Sequence, residues 1–116
     1  MRIALVVAST ILTFSTTAFG QSLSEKQIRE TLIDSTFSGV ADGESYTEHL
    51  NQDGTISGQA LSGSYSGRWH ISGNQICFLY PQGHRPNKWD CTGVKLDGNR
   101  IIWEDNTTAT LTRATR

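Results

Sequence analysis

The stretch that decides the fold is Gly67-Arg68-Trp69-His70-Ile71-Ser72-Gly73-Asn74-Gln75-Ile76-Cys77-Phe78. Apolar residues alternate with polar ones on both sides of Gly73-Asn74, a dipeptide typical of two-residue hairpin turns. The stretch therefore predicts a β-hairpin with two pairs on one face, Trp69 opposite Phe78 and Ile71 opposite Ile76. Cys77 and His70 then lie on the other face.

The beginning of the chain has the pattern of a secretory signal peptide. Arg2 supplies a positive charge, residues 3–14 form an apolar run, and Ala18-Phe19-Gly20 is a small-x-small cleavage site before Gln21. A membrane anchor is not expected, because hydroxyl side chains interrupt the apolar run and it is shorter than the ~20 residues that span a bilayer. We therefore expect residues 1–20 to be a signal peptide and the protein to be exported.

The cysteine count agrees with export. The chain has 2 cysteines, Cys77 and Cys91, and none is left over if they pair. A lone pair supplies half of a structural zinc site, whereas exported proteins readily form disulfides. The sequence therefore predicts one disulfide and no metal site.

Size and charge restrict the partners. About 96 of the 116 residues follow residue 20, enough for one domain spanning residues 21–116. Without Arg2, 9 Lys and Arg stand against 11 Asp and Glu, a formal charge of −2 with no block of like charge. Nucleic acid and anionic membranes are poor partners for such a surface. We expect a monomer without stable membrane insertion.

The element pattern is one short helix followed by strands. Ser24 and Gln27 form a capping-box pattern, so residues 24–34 are predicted to be a helix. Short β-type runs between turn residues then predict eight strands, near 36–40, 45–51, 55–61, 65–72, 75–80, 88–96, 99–104 and 107–113. An antiparallel meander of this kind predicts a mainly β fold, a small closed or nearly closed barrel of the calycin (lipocalin or streptavidin) type.

Turn positions predict which side chains share a face. The Asn51 to Gly54 turn pairs Leu50 with Ile56 and Tyr46 with Ala60, and an Asp97-Gly98 turn pairs Val94 with Ile101 and Thr92 with Trp103. The side chains predicted to face inward are Tyr46, Leu50, Ile56, Tyr65, Trp69, Ile71, Ile76, Phe78, Tyr80, Val94, Ile101, Trp103 and Leu111.

Glu48 alternates onto the same inward face, opposite Gly58. Burial there would raise the pKa of the carboxyl or require a partner such as Tyr65 or Arg68. The alternative, which we favour slightly from the sequence alone, is that the strand frays at the barrel rim and leaves Glu48 solvated.

The outward face carries Cys77, Leu79 and Trp89, an unusual amount of apolar surface. Either the helix residues Ile28 and Leu32 or the 81–87 loop covers it, or it is a surface that binds a partner. We favour the covered arrangement, since single exposed aromatic residues are common on proteins.

These motifs resemble those of a family of small exported proteobacterial proteins that carry a domain of unknown function. The likeness rests on Gly67-x-Trp69, the Gly73-Asn74 turn, Cys77 and Cys91, and it covers most of the chain after residue 20. The resemblance implies a bacterial periplasmic or secreted protein. It implies no activity, because turn glycines, a core tryptophan and two cysteines specify a fold and no chemistry.

The sequence predicts no catalytic residues and no cofactor. His49, His70 and His84 have no spacing that forces a role, and no Gly-x-Ser-x-Gly nucleophile turn is present. A disulfide would leave Cys77 and Cys91 without a reactive thiolate. We therefore expect a protein that is not an enzyme.

The leading functional prediction is an exported, non-enzymatic binding module. Its partner is predicted to be an envelope or extracellular protein, or a small apolar ligand in the barrel mouth. Alternatives are an inhibitor of a secreted protease or lysozyme, and a small-ligand carrier or minor enzyme that uses the barrel mouth. The candidate binding surface is the long hairpin connection, with the residues Tyr80, His84, Arg85, Lys88 and Trp89.

Overall fold

A computed structural model describes residues 21–83 and 85–112. The predicted signal peptide and His84 lie outside the described residues. The elements, all strand pairs being antiparallel, are β1 (Gln21–Ser22), α1 (Glu25–Leu32), β2 (Thr36–Ala41), β3 (Glu44–Leu50), β4 (Thr55–Ala60), β5 (Gly63–Ser72), β6 (Gln75–Leu79), β7 (Trp89–Thr92), β8 (Val94–Asp97), β9 (Arg100–Trp103) and β10 (Thr108–Thr112).

The ten strands form one sheet in the order β1-β8-β9-β10-β2-β3-β4-β5-β6-β7, which curls into a half-barrel. The predicted mainly β, barrel-like fold is confirmed, but the predicted count of eight strands is wrong. The run expected over 88–96 divides at Gly93, whose backbone NH donates to Glu104 Oε1 (3.2 Å) and whose carbonyl accepts from Thr92 Oγ1 (2.8 Å). These bonds replace ladder bonds and let the chain pass from β7 at one edge to β8 near the other.

Two predicted hairpin registers are confirmed. Leu50 pairs with Ile56 and Tyr46 with Ala60 across a turn in which Gly54 has φ 94°. In the second hairpin Trp69 pairs with Phe78. Local turn chemistry therefore sets the registers of the β3–β4 and β5–β6 hairpins.

The predicted register of the third hairpin is wrong. The turn is Gly98-Asn99, so Val94 pairs with Trp103 and Leu96 with Ile101, and Thr92 lies outside the β8 to β9 ladder. Gly98 has φ 64°, which suits the first central position of a type II′ turn. The shift is two residues, so every side chain keeps its predicted face.

Helix α1 begins at the predicted cap. Ser24 Oγ accepts from the Gln27 NH, and the Gln27 side chain accepts from the Ser24 NH. The helix ends at Leu32, two residues before the predicted end, because Ile33 is extended and the Asp34 NH donates to the Leu50 carbonyl (2.7 Å) of the sheet. In the part of the chain that the structure describes, no helix has the length and hydropathy to cross a membrane.

The core fills one end of the half-barrel. Ile28 and Leu32 of α1 are fully buried in a cluster with the inward-facing residues Leu50, Ile56, Trp69, Ile76, Val94, Ile101 and Leu111, together with Leu23, Phe37 and Ala109. The helix therefore packs into the concave side. Our expectation that its apolar stripe covers the outward Leu79 and Trp89 is wrong, because Ile28 and Leu32 pack among the inward-facing residues. Cover by the 81–87 loop stays a prediction.

The disulfide prediction is confirmed. Cys77 and Cys91 are paired across β6 and β7 and joined by a disulfide on the outward face. Beside them the Trp89 ring contacts the His70 ring, with centroids 4.3 Å apart, and Trp89 stays 40% exposed. The cross-link ties the edge strand β7, whose ladder has four pairs, to its only neighbour in the sheet, β6.

Replacing both cysteines by serine is expected to lower the free energy of unfolding by about 3 kcal/mol, since the bond closes a loop of 14 residues. Urea denaturation of the oxidised protein and of the double variant measures the difference. Reduced wild-type protein is the control and should match the variant. Equal midpoints for the oxidised and reduced protein would contradict the prediction.

Candidate ligand-binding cavity

The end of the half-barrel opposite α1 holds an open cavity of about 910 Å³. The mouth of the cavity is bordered by four connections: the β2–β3 turn, the β4–β5 turn, the first part of the β6–β7 loop and the β9–β10 turn. A volume of this size is typical of sites for small organic ligands. The helix closes one end of the concave face, so the side chains at the other end remain accessible.

Aromatic rings form the walls of the cavity. The rings that line it are Phe37, Tyr46, Tyr65, Phe78, Tyr80 and Trp103. Trp103 meets Phe37 and Phe78 with centroid distances of 5.5 and 5.8 Å, and Tyr80 meets Phe78 and Tyr65 at 6.2 and 6.0 Å. The rings therefore form a continuous band of apolar surface around the concave face.

A buried carboxylate lies at the floor of the cavity. Glu48 is 4% exposed, and its two carboxylate oxygens accept hydrogen bonds from the hydroxyls of Tyr65 and Tyr80, each at 2.7 Å. The interpretation that Glu48 is solvated at a frayed rim is wrong. Of its two predicted partners, Tyr65 is confirmed, whereas Arg68 lies on an exposed position between the inward Gly67 and Trp69.

The electrostatics of the floor follow from burial. Desolvation raises the pKa of Glu48, and the hydrogen bonds from Tyr65 and Tyr80 oppose that rise. Desolvation, followed by the nearby Glu48 charge, raises the pKa of Tyr46 to about 12 and the pKa values of Tyr65 and Tyr80 still further. Tyr65 and Tyr80 are therefore protonated at neutral pH, and their hydroxyls act as hydrogen-bond donors to Glu48.

Two glycines let the tyrosine rings reach the carboxylate. Tyr65 pairs with Gly58, and a Cβ at Gly58 would overlap its ring. The ring of Tyr80 crosses Gly67, where a Cβ would lie 2.9 Å from the ring and 2.7 Å from the Leu79 carbonyl oxygen. Each ring thus lies over a glycine of the neighbouring strand and does not stand upright in the cavity. Aromatic residues are known to cover glycines in this way in β-sheets.

The change Gly58→Ala is expected to push the Tyr65 ring off its strand and break the hydrogen bond to Glu48. Overpacking of this kind costs about 1–3 kcal/mol, which denaturant unfolding would measure. The matched control is Gly93→Ala, whose added Cβ would meet Glu104 at an ordinary 3.7 Å. Equal destabilisation by both variants would show that the close approach of Tyr65 has no energetic weight.

The border of the cavity is acidic. Its lining includes the carboxylates Asp42, Glu44, Glu48, Asp90, Glu104 and Asp105, and no lysine or arginine among the described residues. Asp90 is bound by the Arg85 guanidinium (2.7 Å), which lies outside the lining. Glu44, Glu104 and Asp105 add negative charge to the mouth of the cavity.

The structure separates the residues of the predicted binding surface. Tyr80 lies in the cavity, whereas Trp89 pairs with Leu79 and lies on the outward face beside His70. Arg85 and Lys88 are exposed in the connecting loop, and His84 lies outside the described residues. Trp89 shares the face of its partner Leu79, and Tyr80 follows Leu79 in the chain, so Tyr80 and Trp89 lie on opposite faces of the sheet. One ligand in the cavity therefore cannot contact both rings.

Other polar groups are bound within the scaffold. His49 Nδ1 contacts Thr36 Oγ1 (2.8 Å), and its Nε2 contacts Asp34 Oδ1 (3.1 Å), on the side of β3 opposite Glu48. Over residues 21–83 and 85–112, no group of three or more His, Cys, Asp or Glu side chains could hold a metal ion. Within the described residues, we therefore take the cavity floor as the candidate site, because the buried Glu48 borders the open cavity there.

Sequence reasoning placed Glu48 and Tyr65 on the inward face but did not join them to Tyr80. The signal that points to this cluster is the pair of glycines, Gly58 and Gly67, at inward positions of central strands. Glycine in a strand marks a close approach by another group. Here the approaching groups are the two phenol rings.

The chain was compared with protein-family models, with curated proteins and with solved structures, and none of the three comparisons found a match. The resemblance to a proteobacterial family therefore stays a prediction, and a functional proposal depends on the geometry of the cavity.

Proposed function

We propose that this protein is a binding module that takes a small organic ligand with an aromatic or apolar body into the concave cavity. The observation that supports this most is the combination of an accessible volume of about 910 Å³ with six aromatic rings and one buried polar cluster. Ligand sites typically have mostly apolar walls and a few well-placed polar groups.

The rigidity of the floor also supports binding. Glu48 has both oxygens held by tyrosine hydroxyls, and the rings are fixed by their neighbours and by the strands beneath them. Groups that are already ordered lose little conformational entropy when a ligand arrives. The cluster is thus suited to orienting a ligand rather than to exchanging protons with one.

The proposal includes an exported, calycin-like carrier located in a periplasm or outside the cell. The disulfide supports this location, since such bonds persist in oxidising compartments. Inhibition of a secreted hydrolase and catalysis at the barrel mouth, the alternatives from the sequence, stay predictions.

Three indole compounds test the cavity: tryptamine, tryptophol and indolepropionate. They share a ring and differ in the charge of the side chain. We expect at least one of them to shift the amide NMR resonances of cavity residues such as Tyr46 and Trp103, and to leave those of Trp89 unchanged. If none of the three shifts the cavity resonances, the proposed function is wrong.

A matched pair of variants shows where the ligand lies. Ala60 faces the cavity, whereas the adjacent Gln59 faces outward and its Nε2 donates to Ser64 Oγ (2.8 Å). Ala60→Trp should weaken binding by about tenfold or more by filling the mouth, and Gln59→Trp should leave it unchanged. Weakening by Gln59→Trp alone would place the ligand on the outer face.

A further inference from the structure

We propose that the ligand is an organic cation, an ammonium group on an aromatic or apolar body, with the nitrogen directed at the floor formed by Glu48, Tyr65 and Tyr80. This inference depends on the proposed function and specifies the class of ligand. It is carried by hydrogen-bonding capacity, by the aromatic walls and by the charge of the lining.

The hydrogen-bonding groups at the floor favour a ligand that donates hydrogen bonds. The hydroxyl protons of Tyr65 and Tyr80 are both directed at Glu48, so neither of these two hydroxyls has a donor left for a ligand. What remains are acceptors: the free lone pairs of the two phenol oxygens and of the carboxylate. A ligand group at the floor must therefore supply hydrogen-bond donors, as an ammonium does.

The walls favour positive charge. The faces of tyrosine, phenylalanine and tryptophan rings attract a cation at short range, and this attraction grows when water is excluded. Six such rings line the cavity, and Tyr65 and Tyr80 provide both the rings and the acceptors nearest Glu48. The same ring faces would repel an anion.

The negative charge of the cavity lining also favours a cationic ligand. Glu48 lies at the floor, and Glu44, Glu104 and Asp105 lie in the rest of the lining, whose described members include no lysine or arginine. A cleft lined by one sign of charge raises the local concentration of ligands of the opposite sign. Carboxylate and phosphate ligands are disfavoured at both the mouth and the floor.

The three indole probes separate this inference from the proposed function. Tryptamine is a cation, tryptophol its neutral counterpart and indolepropionate an anion. We expect calorimetry or NMR titration to give tryptamine an affinity about tenfold higher than tryptophol, with indolepropionate the weakest. The tryptamine affinity should also fall as NaCl rises, while that of tryptophol should not.

The variant Glu48→Gln should remove most of the preference for tryptamine and leave the affinity for tryptophol within about twofold, a change below 0.5 kcal/mol. The charge-matched control is Glu30→Gln on the exposed face of α1, which should keep the preference. The salt dependence of the wild-type protein gives an independent answer if Glu48→Gln fails to fold.

Each outcome decides something. If tryptophol or indolepropionate binds as tightly as tryptamine, the cation inference is overturned and the proposed function stands. If the preference survives in folded Glu48→Gln, the floor does not select the ligand and the inference is overturned. If none of the probes binds in the cavity, the proposed function fails and the inference fails with it.

Discussion

Replacing Trp69 by alanine is expected to lower the free energy of unfolding by about 3–5 kcal/mol, a large part of the 5–15 kcal/mol typical of a domain. Trp69 is 8% exposed and belongs to the cluster that joins α1 to the sheet. Its indole NH donates to the Asn51 carbonyl (2.8 Å), so truncation also leaves that acceptor without its partner. We expect a variant that is unfolded or readily cleaved by protease.

The matched control is Trp89→Ala. It removes the same atoms from the outward face, where Trp89 is 40% exposed and contacts His70. Chemical denaturation should show a loss of about 1 kcal/mol or less, as expected for a surface aromatic contact. Similar losses in the two variants would mean that the inward packing of Trp69 contributes no more than a surface contact.

The parts of this fold that could be predicted are those fixed by neighbours in the sequence. The Gly54 and Gly73 turns set the registers of two hairpins, and alternation then assigns each side chain to a face. The pairing of Cys77 with Cys91 follows from the same alternation once β6 and β7 are adjacent. A register error of two residues, as in the hairpin at Gly98, cannot be detected from alternation, because every side chain keeps its face.

The parts that could not be predicted depend on the curl of the sheet. Ile28 and Leu32 form an apolar stripe that could cover either face, and the sequence does not show that they pack among the inward-facing residues of the curled sheet. The cluster at Glu48 has the same origin. Tyr80 is 32 residues away in the chain and three strands away in the sheet, so the hydrogen bond needs both the curl and the space over Gly67.

Replacing Glu48 by alanine is expected to destabilise the protein, because the hydroxyls of Tyr65 and Tyr80 lose their common acceptor. Both hydroxyls are only partly buried and border the open cavity, so we expect a total loss of about 1–3 kcal/mol, the cost of one unsatisfied buried group. Glu48→Gln is the isosteric control. Its amide group can still bond to both hydroxyls and carries no charge, so at neutral pH it should be at least as stable as the wild type. An alanine variant as stable as the glutamine variant would mean that the two hydroxyls find other partners.

The same carboxyl gives the wild type a pH dependence that Glu48→Gln lacks. Burial raises the folded-state pKa of Glu48 above its unfolded value of roughly 4.3. Between those two values the folded protein holds a proton that the unfolded chain has lost, so this contribution to stability is complete below the unfolded pKa and is lost as pH rises through the folded one. The neighbouring phenols Tyr46, Tyr65 and Tyr80 stay protonated over this window, because their pKa values are raised as well. The stability of Glu48→Gln relative to the wild type, measured by urea denaturation, should therefore increase from pH 4 upward and level off. A difference that stays constant, or that decreases with rising pH, would show that the hydrogen bonds from the two tyrosines outweigh desolvation.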